Sequence, residues 1–107
     1  MAINVFRNVT TDLTTAGATV YTAPAGYTGI VLMAQFSNIT TGTVTASMFI
    51  NKSNVLTSII TDFEIPGNDA LGALTGKLVL ESGQAVFVSA GTNSAVQFTM
   101  SILETEN

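Results

Sequence analysis

The stretch VQFTMSI, Val96–Ile102, decides the fold. Its even positions are large and apolar and its odd positions polar. Side chains of a strand alternate between two faces, so this segment predicts a strand with one face on a core and one in water. Thr43–Ile50 repeats the pattern, with Phe49 out of phase. No stretch carries an apolar period of 3.6 residues. Thr, Val and Ile are abundant, and β-branched side chains fit a pleated surface.

Turn residues punctuate these runs at Ala16-Gly17, Pro24-Ala25-Gly26, Thr41-Gly42, Pro66-Gly67-Asn68-Asp69, Ser82-Gly83 and Gly91-Thr92-Asn93. Gly and Asn tolerate positive φ, and Pro presets φ for a reversal. The intervals between them predict strands near 2–9, 18–23, 28–38, 43–51, 55–65, 76–81, 84–90 and 95–104. A short helical turn fits Asn68–Leu74. About eight strands with turns every 8–12 residues predict an all-β, single-domain β-sandwich, either jelly-roll or immunoglobulin-like. A closed barrel is the alternative. Residues 1–15 read as an N-terminal strand or an arm reaching a neighbour, and residues 16–107 as the sandwich.

The longest apolar run, Ile30–Ala34, raises the question of what covers its two faces. Period-2 parity puts Ile30, Leu32, Ala34 and Phe36 on a core face. It leaves Val31 and Met33 on the outer face, with Gln35 and Ser37 polar beyond them. That outer patch is either covered by a loop or is a subunit contact centred on Val31 and Met33, joined by Phe49 if its strand is a neighbour. Tyr21 and Tyr27 flank the Pro24-Ala25-Gly26 turn. They read as a sugar-stacking platform, an interface anchor, or a cap on the end of the sandwich.

Composition narrows the function. The chain is 47% hydrophobic but only 9% charged, against about 25% charged in average proteins, so uncharged polar residues must cover its surface. The net charge is −4, and the only cations are Arg7, Lys52 and Lys77. Neutralising phosphates takes several clustered Lys or Arg, which argues against nucleic acid and against an anionic membrane surface. The apolar run falls far short of the roughly 20 residues of a transmembrane helix. The N-terminal MAINVFRNVT has neither a basic n-region nor an apolar h-region, so no secretory signal is expected.

There is no Cys and no His. Disulfides, thiolate chemistry and a Ser-His-Asp arrangement are excluded. Lys52 and Lys77 remain as nitrogen bases, and neither lies in a Ser-x-x-Lys pattern. The reading is therefore non-enzymatic, with no cofactor. Asp62 and Glu64 lie two apart, on one strand face opposite Phe63 and Ile65. Adjacent exposed carboxylates are not the opposed pair a glycosidase uses, and they read as a solvated face that discourages stray strand pairing. Asp62, Glu64, Asn68 and Asp69 offer oxygens to calcium but match no EF-hand spacing, and Asn68-Asp69 reads as turn chemistry. The sequons at Asn8, Asn38 and Asn51 are expected by chance in a chain this rich in Asn, Ser and Thr.

The segment VYTAPAGYTGIVLMAQFSN (Val20–Asn38), a Thr-rich alternating strand, and then KLVLESGQAVFVSAG (Lys77–Gly91) together resemble the small virion structural proteins of tailed bacteriophages. The matching positions are Thr22-Ala23-Pro24-Ala25-Gly26, Asn38, and Leu78-Val79-Leu80-Glu81-Ser82-Gly83. The resemblance runs from Ala18 to the C-terminus and departs at Gln84, where the family has Asp. The resemblance implies a component of the virus particle but not its position on it. The acidic, cysteine-free, low-charge and all-β composition leads to a head decoration (cement) protein that binds the major capsid protein or other virion proteins in many copies. Apolar strand faces left exposed on a monomer predict a homo-oligomer, whose closed symmetry hides them. The family resemblance makes it a trimer and transfers no catalytic residue. The alternative is a tail, baseplate or fibre component contacting a host surface or other tail proteins.

Overall fold

The computed structural model describes residues 4–107. Nine strands follow in order: β1 (Asn4–Asp12), β2 (Ala18–Thr22), β3 (Tyr27–Asn38), β4 (Val44–Lys52), β5 (Val55–Ile65), β6 (Ala70–Gly72), β7 (Leu78–Leu80), β8 (Ala85–Ala90) and β9 (Val96–Glu106). They form two antiparallel sheets. The first runs β1-β9-β3-β6, with β7 also on β3, and the second runs β2-β8-β4-β5.

The chain is one long hairpin rolled up. Its tip is Ser53-Asn54, with φ of 53° and 64°. Two successive positive φ values are what a type I′ turn needs, and that turn matches the twist of the flanking strands. Partners then lie nearly symmetrically about the tip: Lys52 with Val55, Gln35 with Gly72, Ala18 with Val88, Asn4 with Thr105. Rolling this ladder sends β1, β2, β3 and β4 alternately to the two sheets, and the return half does the same once β6 and β7, which both pair with β3, are counted together. That is the jelly-roll form of the expected sandwich. An immunoglobulin sandwich would keep its first two strands in one sheet, whereas here β1 and β2 lie in different sheets.

Local chemistry sets the corners. Gly26 (φ 81°) and Gly83 (φ 86°) occupy the third position of turns closed by Tyr27 N to Pro24 O at 3.1 Å and Gln84 N to Glu81 O at 2.9 Å. A type II turn requires positive φ there, which glycine adopts without penalty. The segment at Asn68–Leu74 is not helical. Ala70–Gly72 pairs with Ser37–Gln35 as β6, so an open edge on β3 outweighs local helical preference. The N-terminal segment is a strand, since Asn4–Asp12 pairs along its whole length with β9. Positions 2 and 3 of the expected first strand lie outside the described residues.

The core fills the space between the sheets. In β9 the alternation holds: Val96, Phe98, Met100 and Ile102 are all buried. Phe98 meets Phe36 of β3 at a ring-centroid distance of 4.9 Å, tilted by 52°. Tilted contacts of this kind favour the edge of one ring against the face of the other.

β3 corrects the parity expected for its apolar run. Val31 is 0% exposed, while Leu32 and Met33 are each 37% exposed. The register on β9 jumps from Val31↔Ile102 to Met33↔Ser101, leaving Leu32 as the extra residue of a β-bulge. The bulge resets the alternation. Gly29 and Val31 point inward before it, Ala34 and Phe36 after it, and Ile30 and Leu32 leave the expected core face.

β5 loses its alternation for the same reason. Asp62 has φ of 46°, and the pairing with β4 shifts on both sides of Met48. Buried Ser47 holds the bulge, its Oγ accepting from Asp62 N at 2.8 Å. Ile65 stays in the core, but Phe63 is exposed rather than sharing its burial.

Candidate functional site

Continuing the parity of β9 past Ile102 places Glu104 between the sheets, where it is 3% exposed. Its Oε2 accepts a hydrogen bond from the Tyr21 hydroxyl of β2 at 2.6 Å. Its Oε1 accepts from Arg7 Nε of β1 at 2.8 Å. Burial pushes the Glu104 carboxyl up, but the hydrogen bonds from Tyr21 and Arg7 and the Arg7 charge outweigh it, leaving the carboxyl below its usual value. The Tyr21 hydroxyl moves far up, first through burial and then through its bond to the carboxylate. The carboxylate is held ionised and the phenol neutral, and the cluster ties the two sheets together from inside. The sequence reading does not single out Glu104, although extending the alternation of Val96–Ile102 by two residues points to it.

Asn38, at the end of β3, is a second buried polar tie. Its Nδ2 donates to the carbonyls of Gly42 (2.7 Å), Ile65 (3.0 Å) and Pro66 (3.1 Å). Its Oδ1 accepts from Thr40 N at 2.9 Å and Thr40 Oγ1 at 2.7 Å. One amide thus joins the β3–β4 turn to the β5–β6 turn. The sequon at this position is occupied structurally, since its nitrogen is committed to three carbonyls.

The residues expected to form a subunit contact do not come together. Val31 is in the core and reaches nothing outside the molecule. Met33 lies on the outer face of the first sheet. Phe49 lies on β4 of the second sheet, half-buried against Phe87 at 6.2 Å. β3 and β4 are consecutive in sequence, but a jelly roll sends them to opposite sheets, so Met33 and Phe49 cannot share a patch. Tyr21 is buried with its hydroxyl on Glu104, and Tyr27 is half-buried beside the Pro24 turn.

A different surface emerges from the register. Phe6 of β1 pairs with Leu103 of β9, Leu103 with Ile30 of β3, and Ile30 with Val79 of β7. Directly opposed residues project from the same side of a sheet. Because Ile102 and Glu104 point inward, this row points outward. It forms an apolar stripe across four strands, with Phe6 74% and Val79 55% exposed. Met33 and Leu32 lie beside it, Leu32 together with Phe6 lining a recess of about 290 Å³. Asn4–Thr105–Thr28 and Asn8–Ser101–Met33 flank the stripe. The sequence contains the signal as Phe6, Ile30, Val79 and Leu103, but only the register aligns them.

Asp62 and Glu64 are exposed on β5, and among the described residues no three of His, Cys, Asp and Glu cluster to hold a metal ion. A groove of about 380 Å³ beside the β3 bulge, lined by Leu32, Met33, Leu74 and Lys77 among others, offers one titratable group, Lys77. Among the described residues no helix is long and apolar enough to cross a membrane.

No protein-family model and no curated protein sequence matches the chain. Solved structures do resemble it. A subunit of Bacillus endospore appendages, described as disulfide-linked pili, is similar with a TM-score of 0.59 at 10% identity, over 99% of this chain and 88% of that one. A chain of the infectious bursal disease virus Gx strain is similar with a TM-score of 0.52 at 7% identity, over 98% of this chain but 32% of that one. A chain from the capsid of Helicobacter pylori bacteriophage KHP30 is similar with a TM-score of 0.50 at 11% identity, over 98% of this chain and 93% of that one. At these identities the likeness is one of fold.

Proposed function

We propose that this chain is a non-enzymatic structural subunit of a virus particle, and specifically a capsid decoration protein that binds the outer shell and stabilises it. The observation that carries the reading is one jelly roll built from residues 4–107, whose buried polar groups serve as ties between strands and turns. The end-to-end likeness to a chain of the KHP30 capsid supports it. A subunit that binds only the assembled shell stabilises it by mass action, by about 2.7 kcal/mol per site at a hundredfold excess over Kd. The test is to add purified protein to capsids that lack it. Saturable binding and a raised capsid melting temperature are expected, and absence of binding overturns the reading.

The likeness to the endospore appendage subunit favours a second reading, a component of a fibre or tail. With no cysteine, disulfide linkage of that kind is closed to this chain. Densitometry of intact particles separates the two readings. A decoration protein is present at hundreds of copies, a tail or fibre component at far fewer.

A further inference from the structure

We propose that the open edge of β1 takes the β1 strand of a second copy, antiparallel about a two-fold axis centred on Asn8, so that the first sheet continues across two molecules. The proposal stands independently of the shell assignment. An edge strand leaves a row of N–H and C=O groups unpaired, and proteins blunt such edges with short strands, bulges and charges. Among the described residues the two sheets have four edges, and three are blunted. β6 and β7, which share one edge, have three residues each. β2 has five residues and a register shift between Thr19 and Tyr21. β5 is long, but its pairing shifts on both sides of Met48 and it exposes Asp62 and Glu64. β1 runs nine residues along β9 with no shift. Its inward charge, Arg7, is bound to Glu104, so a strand laid beside it leaves no cation without a partner.

The ladder on β9 shows which groups are free. Leu13 N donates to Val96 O at 2.9 Å, in step with the pairing of Asp12 and Gln97. Residues of an antiparallel strand alternate between those that bond across to the partner and those that turn their groups the other way. The odd residues of β1 therefore bond to β9, and Asn4, Phe6, Asn8, Thr10 and Asp12 turn their N–H and C=O to the open side. Directly opposed residues share a face, so a two-fold pairing must match like parity. Centring it on Asn8 overlaps all nine residues. On the outer face it opposes Asn8 to Asn8, Phe6 to Thr10 and Asn4 to Asp12. On the inner face it opposes Arg7 to Val9 and Val5 to Thr11. Each open-side residue then exchanges both of its bonds with the residue opposite. The single carboxylate of the strand, Asp12, meets a side-chain amide, and no like charges are directly opposed. The strand is in this sense its own complement, which selects a second copy as the occupant. The same two-fold pairing closes as a dimer.

Sedimentation equilibrium of the purified full chain, from about 10 μM to about 1 mM, tests this, with amide hydrogen exchange followed by NMR at both ends of the range. Monomer–dimer behaviour is expected for the wild type, with slower exchange at the Phe6, Asn8 and Thr10 amides in the dimer. Asn8 is exposed, so substitution there spares the fold. Asn8→Lys and Asn8→Asp each set like charges directly opposite across the axis, and each should weaken dimerisation at least ~tenfold. Mixed together, the two variants should pair at least as tightly as the wild type, since each then meets the opposite charge. Thr10→Pro removes one open-side N–H, leaves the bonds to β9 in place, and should also weaken the dimer at least ~tenfold. Val79→Glu, at the opposite edge of the same sheet, should leave it intact. A wild type that stays monomeric throughout overturns the proposal. So does a trimer, a mixture that fails to recover, or association lost equally in Val79→Glu.

Discussion

The Tyr21 hydroxyl donates to Glu104 Oε2 at 2.6 Å, and this bond joins the second sheet to the first through the interior. Arg7 completes the tie from the neighbouring strand β1. Two layers that meet mainly through apolar side chains are thereby fixed in relative position by a directional contact.

Tyr21→Phe removes that hydroxyl and keeps the ring. A hydrogen bond to a charged group contributes about 1.5–3 kcal/mol, and its loss leaves a buried carboxylate oxygen short of a donor. The variant should fold and be destabilised by about that amount. For a domain of this size each kcal/mol lowers Tm by roughly 4–8 °C. Differential scanning calorimetry checks it, and an unchanged Tm would show that water replaces the hydroxyl.

The same pair predicts how stability varies with pH. Glu104 is held below its usual value in the folded state, so its contribution is present above about pH 4.3 and is lost as the pH falls through the folded value. Tyr21 is raised, so the unfolded chain loses its phenolic proton from about pH 10 while the folded chain keeps it. Stability therefore falls again above about pH 10. Denaturant midpoints measured across the pH range should show both limbs. Tyr21→Phe should flatten the alkaline limb, and a limb unchanged in that variant would assign it elsewhere.

Asn38 gives a sharper result because its nitrogen and oxygen do different work. Asn38→Asp preserves the shape but turns the donor into an acceptor facing the carbonyls of Gly42, Ile65 and Pro66. Asn38→Ala leaves those carbonyls and the Thr40 donors without their side-chain partner. Each should cost about 2–4 kcal/mol, with the aspartate the worse of the two at neutral pH. Thermal unfolding of the pair at pH 3 and pH 7 checks the ordering. The gap should narrow at pH 3, where the aspartate regains a donor by protonation.

The fold is legible where period and punctuation agree. Val96–Ile102 alternates without interruption, and its burial follows that alternation. The glycines at 26 and 83 stand where positive φ is needed. The apolar run at Ile30–Phe36 misleads because a bulge belongs to the ladder, not to either strand alone. Leu32 is extra only relative to β9. Grouping Phe49 with Met33 follows from the tendency of sequence neighbours to pair, whereas the jelly roll separates them between sheets. Glu104 escapes notice because a carboxylate signals solvent unless its partners are known, and Arg7 and Tyr21 lie 97 and 83 residues away. The outer row is invisible for a related reason: its four residues come from four strands.

The closest backbone approach yields the last prediction. There is no room for a side chain at Gly67, where an added Cβ would meet the carbonyl oxygen and carbon of Thr41 in the adjoining turn. These are backbone atoms, tied in place by Asn68 N to Thr40 O at 2.9 Å and by the Asn38 amide, so they cannot swing aside as a side-chain end would. Gly67→Ala should therefore force the two turns apart and cost about 1–3 kcal/mol. Gly42 lies on the same pair of turns, but an added Cβ there meets nothing within 4 Å. Gly42→Ala should be neutral or stabilise by up to about 1 kcal/mol, because alanine restricts the unfolded chain. Urea denaturation of the two variants side by side gives the comparison. Equal effects would mean that the turns yield freely, and the close approach of Gly67 to Thr41 would then carry no part of the stability.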